Sequence, residues 1–325
     1  MPQSKPRINW PSPQDYSEAV QTPSISFSDA ELRAASVETT ALGLPRSMSG
    51  NFAIVFCFNC KDRKVAVRCF LHNVPDQRVR YQAISRYVLS DDLPCTVPVE
   101  YVEQGIRIGG EWYPILKMEW VQGLTLNEFI SKYLHTEIAL NLLASYLKEM
   151  ILDLRRAGIA HGDLQHDNIL ISDNELRLVD YDGMFVPELS RYAASELGHP
   201  NYQHPGRSNK HFGASLDNFS AWVIYGSLKC LSLDPDLWNQ LQGGADCLLF
   251  RHSDFTTPED SVAFKTLLHH RNEGIRKYGC ALRLTLLSEP DEVPALDDAS
   301  LDGQALGRFF DWYHSTEVKR QWYQE

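Results

Sequence analysis

Apolar residues recur at every second position from Phe52 to Phe58 (Phe52, Ile54, Phe56, Phe58), and a polar stretch, Asn59-Cys60-Lys61-Asp62-Arg63, separates them from Val65-Ala66-Val67-Arg68-Cys69-Phe70. Period-two runs on either side of a polar turn predict two strands joined as a hairpin. A helix is predicted over Asp76 to Leu89. Strands follow at Val97 to Val102, Gly105 to Ile108 and Trp112 to Trp120, the last set off by the turn pair Gly109-Gly110. Beyond Gly123 the period changes. Leu126 to Tyr133 and Ile138 to Ala157 carry apolar residues at helical spacing, the second run closing on Gly158 as a cap. From Ala214 onward most of the chain reads as helix, interrupted by a Pro- and acid-rich break at Ser288 to Ser300. Strands in the first half and helices in the second predict an α+β protein, a small sheet-rich lobe joined to a larger helical one.

Composition narrows the setting. The 325 residues are 43% hydrophobic and 22% charged, enough for a sizeable core. Runs such as Cys247-Leu248-Leu249-Phe250 fall far short of the roughly 20 residues a bilayer requires, and Met1-Pro2-Gln3-Ser4-Lys5 has no signal-peptide apolar core, so a cytoplasmic protein without a membrane partner is expected. A formal charge of -11 with no Lys/Arg cluster argues against nucleic acid as a partner. Seven scattered cysteines fit reduced thiols. Cys57 and Cys60 have the spacing of a metal or redox pair, but they lie in a strand pattern with no second such pair, so a structural role is expected. Five prolines within residues 1–28 suggest an extended N-terminal arm pinned by Trp10, and the acids Asp291, Glu292, Asp297 and Asp298 suggest a solvated linker.

The chemistry concentrates in His161-Gly162-Asp163-Leu164-Gln165-His166-Asp167-Asn168-Ile169-Leu170, followed by Leu176-Arg177-Leu178-Val179-Asp180-Tyr181-Asp182-Gly183. This pair of segments resembles the protein-kinase superfamily, whose H-R-D-L-x-x-x-N and D-F-G motifs it matches in order, with the second Asp one residue closer. Within that superfamily it is similar to the atypical bacterial serine/threonine-kinase-like proteins with H-G-D-L-Q-H-x-N and V-D-Y-D-G-M. The resemblance implies a bilobal protein-kinase-like fold, with a small antiparallel-sheet N-lobe carrying one main helix and a larger helical C-lobe, and a cleft for ATP with Mg²⁺ or Mn²⁺. It implies that Asp163 accepts the proton of an acceptor hydroxyl and that Asn168 and Asp180 hold the metal, with Asp182 in reserve for Asp180. It assigns residues 1–41 to the arm, 42–121 to the N-lobe, 122–287 to the C-lobe and 288–325 to an acidic linker and helix.

Upstream, Ser49-Gly50-Asn51-Phe52-Ala53-Ile54-Val55 resembles the glycine-rich loop over the ATP phosphates, with Gly50 the one glycine kept. Val65-Ala66-Val67-Arg68 resembles V-A-I-K, with Arg68 in place of the phosphate-pairing lysine. Met118-Glu119-Trp120-Val121 resembles the hinge, with Met118 as gatekeeper and the backbone of Glu119 and Val121 toward the adenine edge. Gly198-His199-Pro200-Asn201-Tyr202-Gln203-His204-Pro205 stands where substrate docks, and Leu216-Asp217-Asn218-Phe219-Ser220-Ala221-Trp222 resembles a helix start whose Asp217 braces the catalytic loop. Two departures bear on activity: Arg68 is forked and planar where the lysine is a point charge, and the helix after it offers no Glu partner. Gly162 also replaces the arginine that reads a phosphorylated activation loop, so activity is expected to be independent of such phosphorylation. The implied function is an ATP-dependent Ser/Thr kinase with a protein substrate. The alternatives are a nucleotide-binding pseudokinase acting as an interaction module and a small-molecule phosphotransferase of the aminoglycoside or choline type. His161, His166, His199 and His204 are expected to pack and hydrogen-bond rather than bind zinc.

Overall fold

The computed structural model describes residues 10–50, 53–73, 76–91 and 93–296. The protein is mixed α+β, with eleven α-helices and two antiparallel sheets among the described residues, and it divides into two compact units. The first takes Met1–Asp92 and Thr96–Gln122, the second Leu93–Cys95 and Gly123–Glu325. No helix of the described residues is long and apolar enough to cross a membrane.

The first unit opens with three short helices, α1 (Pro13–Ala19), α2 (Pro23–Ser26) and α3 (Ala30–Arg33), and two short strands, β1 (Ser36–Val37) and β2 (Ser47–Ser49). The expected hairpin follows as β3 (Ala53–Asn59) and β4 (Lys64–Phe70), then α4 (Gln77–Asp91), β5 (Val99–Ile108) and β6 (Glu111–Glu119). The sheet order is β1-β3-β4-β6-β5, with β2 also pairing β3. The strands expected at Val97 to Val102 and Gly105 to Ile108 are one strand, β5, whose register against β6 shifts between Val102 and Ile106. A bulge absorbs the break, and Gly105 suits it because a Cβ there would stand 2.3 Å from Ile115 Cγ1.

Residues 10–41, expected as an extended arm, are folded onto the sheet. Pro13 and Pro23 occupy first-turn helix positions, where a missing N–H costs nothing, and Ser12 and Asp15 form a capping box over α1. The alternation in β3 explains what this segment does. Ile54, Phe56 and Phe58 form one apolar face, and Tyr16, Val20, Phe27 and Leu32 bury themselves against it. Each large side chain covered in this way stabilises by about 1.5–3 kcal/mol. Trp10, the expected pin, does meet the ring of Tyr113 at 5.7 Å. Polar ties add direction: Tyr16 Oη donates to Phe70 O at 2.7 Å, and Lys117 Nζ in β6 pairs with Asp29 at 2.8 Å and Glu31 at 2.9 Å.

The second unit has a three-stranded sheet of β7 (Leu124–Thr125), β8 (Ile169–Ser172) and β9 (Glu175–Leu178). Between β7 and β8 lie α5 (Leu126–Tyr133), started by a Thr125/Glu128 capping box, and the 20-residue α6 (Glu137–Arg156). Gly158, past the end of α6, has φ +70°, the left-handed terminus that glycine adopts without strain. Then come α7 (Asn218–Leu233), α8 (Leu237–Gln240), α9 (His252–Thr256), α10 (Val262–Leu268) and α11 (Glu273–Thr285). Helix α7 is buried nearly all round and packs on α6 and α11, as a helix apolar on every face must. In the acidic segment expected as a solvated linker, Asp291 and Glu292 are exposed, while the residues that follow them dock on α7. Val293 and Leu296 are buried, Asn218 Nδ2 donates to Val293 O, and Trp222 Nε1 donates to Pro294 O, both at 2.8 Å. Asp297, Asp298 and the expected C-terminal helix lie outside the described residues.

Candidate functional site

Within the second unit, the segment 161–168 leaves a bridge between Ala160 and Phe185 and returns where Ile169 pairs with Leu178. A loop pinned at both ends by strand pairing has little freedom, which suits a site that must hold charges in place. Asp163 sits in this loop with a donor on each carboxylate oxygen. The backbone N–H of His199 donates to Oδ1 at 2.6 Å, and Asn168 Nδ2 donates to Oδ2 at 3.0 Å and to the Asp163 carbonyl at 2.8 Å. Both Asn168 contacts are to acceptors, so its amide nitrogen is committed and its Oδ1 is the remaining acceptor.

Asp180 follows Val179, whose N–H donates to Asn168 O at 3.1 Å, so it stands one residue past the last rung beside Asn168. Its φ is +65°. A non-glycine residue in that region carries strain of order 1–3 kcal/mol, and such strain collects at functional sites. Its neighbour Tyr181 is buried, with its hydroxyl on Leu178 O at 2.8 Å, and Asp182 uses its carbonyl to accept from Ser195 Oγ at 2.8 Å.

The loop is braced from outside. Asp217 stands at the start of α7 but does not cap it. Its carboxylate accepts from the N–H of His161 at 2.5 Å and of Gly162 at 2.8 Å, the expected bracing contact. Burial pushes the Asp217 carboxyl above the usual range, opposed by His161, by those two N–H groups and by the Arg207 guanidinium. Gly162 has φ +80° and lies so close to Gly183 O that a Cβ would stand 2.0 Å from it. No side chain fits at 162, whatever its charge.

No protein-family model matches the chain, and no curated protein matches it. Among the described residues no group of three or more His, Cys, Asp or Glu side chains is placed to hold a metal ion by itself. A magnesium ion carried on a triphosphate asks less: one or two protein carboxylates, with phosphate oxygens and water completing the shell. Asn168 and Asp180 carry oxygen donors of the type such an ion takes. The four histidines are engaged otherwise: His161 Nε2 with Val179 O at 2.9 Å, His166 Nδ1 with Tyr202 Oη at 2.6 Å, His199 Nε2 with Asp246 at 3.1 Å, and His204 Nδ1 with the Gly206 N–H at 3.1 Å. Burial holds His166 and His204 below the usual imidazole value, so both favour the neutral ring.

The remaining candidates belong to the first unit. Arg68 lies in β4, in register with Val55 on one side and Leu116 on the other. Gly50 closes the β2–β3 turn by donating its N–H to Ala53 O at 3.0 Å, while Asn51 and Phe52 lie outside the described residues. Met118 pairs with Ala66 and Val99 in β6, Glu119 ends that strand, and the half-buried Val121 follows it. Cys57 and Cys60 are free thiols, and burial with the Glu38 carboxylate pushes Cys57 up to about 12.

Three participants were not foreseen as such: the His199 N–H, Gly198 and Arg207. Gly198 has φ +71°, and a Cβ there would stand 2.8 Å from Asp163 Oδ1. Arg207 is buried and donates Nη1 to Gly162 O at 2.8 Å and to Gln203 Oε1. Gly198 ahead of a His-Pro pair was a local signal of a special backbone. Nothing near Arg207 in the sequence signals a contact 45 residues away.

Proposed function

We propose that the chain is an ATP- and divalent-metal-dependent phosphotransferase with a bilobal protein-kinase-like fold, acting as a Ser/Thr protein kinase. The observation that carries this reading is Asp163, its two oxygens held by separate donors, in a loop with Asn168 committed to it and Asp180 strained beside it. Phosphoryl transfer asks a protein mainly for positioning and charge neutralisation. In this reading Asp163 takes the proton of the acceptor hydroxyl, which is why it must be ionised and fixed in one rotamer. Asn168 Oδ1 and the Asp180 carboxylate are the ligands for Mg²⁺ or Mn²⁺, which when bound neutralises charge on the transferring phosphoryl group. On the resemblance, the nucleotide-binding residues would be Arg68 for the phosphates, Gly50 in the covering turn, and the backbone of Glu119 and Val121, next to Met118, for adenine.

A second reading, a nucleotide-binding pseudokinase, has its own support. Arg68 replaces a lysine, α4 contains no glutamate, and one oxygen of Asp163 is already occupied by a 2.6 Å hydrogen bond. Both readings require ATP with metal. ATP·Mg²⁺ at 100 times its Kd is expected to stabilise the protein by about 2.7 kcal/mol, a rise in Tm of about 4 °C, and Asp180→Asn to lose that rise. No rise with either metal would remove both readings.

A further inference from the structure

Gly162 is held from two sides by opposite charges. Asp217 accepts its N–H at 2.8 Å, and Arg207 Nη1 donates to its carbonyl at 2.8 Å. The carbonyl of Gly162 belongs to the peptide that carries Asp163, so whatever fixes that carbonyl sets where the Asp163 side chain begins. Gly198 and Gln203 complete the enclosure: a Cβ on Gly198 would stand 2.8 Å from both Asp163 Oδ1 and Gln203 Nε2, and 2.9 Å from Gly162 O. Gln203 Oε1 accepts from the same Arg207 Nη1. The charge of Arg207 faces three carboxylates, those of Asp217, Asp163 and Glu196.

This arrangement is a poor way to make a stable core. Arg207 is 9% exposed, and its Nε and Nη2 have no hydrogen-bond partner among the described residues. Burying a guanidinium with unmatched N–H groups is costly, and its removal would in turn leave Asp217, the Gly162 carbonyl and Gln203 Oε1 without this buried partner. What its one bonded nitrogen holds is the Gly162 carbonyl together with Gln203 Oε1. We propose that Arg207 is a positioning residue for Asp163, acting through the Gly162 carbonyl to keep the carboxylate under the His199 N–H. This deepens the phosphotransferase reading and rests on it for its catalytic part.

The test uses the full chain with Arg207→Met and Arg207→Lys, measuring Tm, amide hydrogen exchange at Gly162 and His199, and kcat and KM for ATP. Arg207→Met is expected to melt below the wild-type temperature, because the buried Asp217 carboxylate and the Gly162 carbonyl lose this partner. Its Gly162 and His199 amides should exchange about tenfold faster beyond any change shared by amides elsewhere in the chain, and its kcat should fall about tenfold or more with KM within about twofold, because misplacing a reacting group costs rate rather than binding. Arg207→Lys, which keeps the charge without the fork, should fall between Arg207→Met and wild type, and it carries the test should Arg207→Met fail to fold. Wild-type exchange and kcat in the folded variants would overturn the proposal. If the wild-type protein transfers no phosphate, exchange alone decides: faster amides uphold Arg207 as the holder of the loop while the phosphotransferase reading falls, and unchanged amides overturn both.

Discussion

Asp180 and Asp217 show how single residues here are used against their own preferences. Asp180 occupies a left-handed backbone that glycine would adopt freely, so a stability optimum would not place an aspartate there. Asp180→Gly is accordingly expected to leave stability unchanged or raise it by up to about 1 kcal/mol, by urea denaturation, while abolishing Mg²⁺-dependent ATP binding. Asp217 gives up the helix-capping role of its position to accept two buried N–H groups. Asp217→Asn would aim an amide donor at one of those donors, and we expect a loss of about 2–4 kcal/mol in the same measurement, with phosphate transfer lost alongside. That Asp163 and Asn168 come together was legible in the sequence, because their spacing is local and both lie in one short loop. Gly198 and Arg207 were not, since each acts through a contact to residues far away in the chain, Asp163 and Gly162.

At the scale of elements, the β3–β4 hairpin and helices α5 and α6 follow from periodicity and from recognisable ends, such as Thr125 with Glu128 and Gly158. The misread elements fail for stated reasons. Strands β1 and β2 are two and three residues long, too short to carry a period. Prolines in residues 10–41 were counted as breakers, although Pro13 and Pro23 start helices. The apolar face of β3 called for a cover, but periodicity does not say which segment supplies it. This cover is fastened by charge as well as by apolar contact: Arg63 and Lys117 hold the Glu31 carboxyl well below its ordinary value of 4.5, down to about 2. A carboxyl lowered on folding contributes fully above pH 4.5 and loses that contribution as pH falls toward about 2. The pair with Arg63 is half-exposed, so Glu31→Gln should cost about 0.5–1 kcal/mol at pH 7. In thermal melts the gap between Glu31→Gln and wild type should close between pH 4.5 and about 2. A gap independent of pH would show that the contact is not ionic.

For the whole molecule, the two units divide the candidate residues cleanly. Gly50, Arg68, Met118, Glu119 and Val121 belong to the first, and Asp163, Asn168, Asp180, Asp217 and Arg207 to the second. The central claim is that the second unit's carboxylates serve phosphoryl transfer. Its most direct test is transfer of labelled γ-phosphate from ATP, with Mg²⁺ or Mn²⁺, to the protein itself and to a basic protein acceptor, in wild type, Asp163→Asn and Asp180→Asn. Metal-dependent labelling by the wild type that falls by about 10³-fold or more in both variants is the predicted result. Labelling that survives Asp163→Asn, or no labelling by the wild type with either metal, would contradict it.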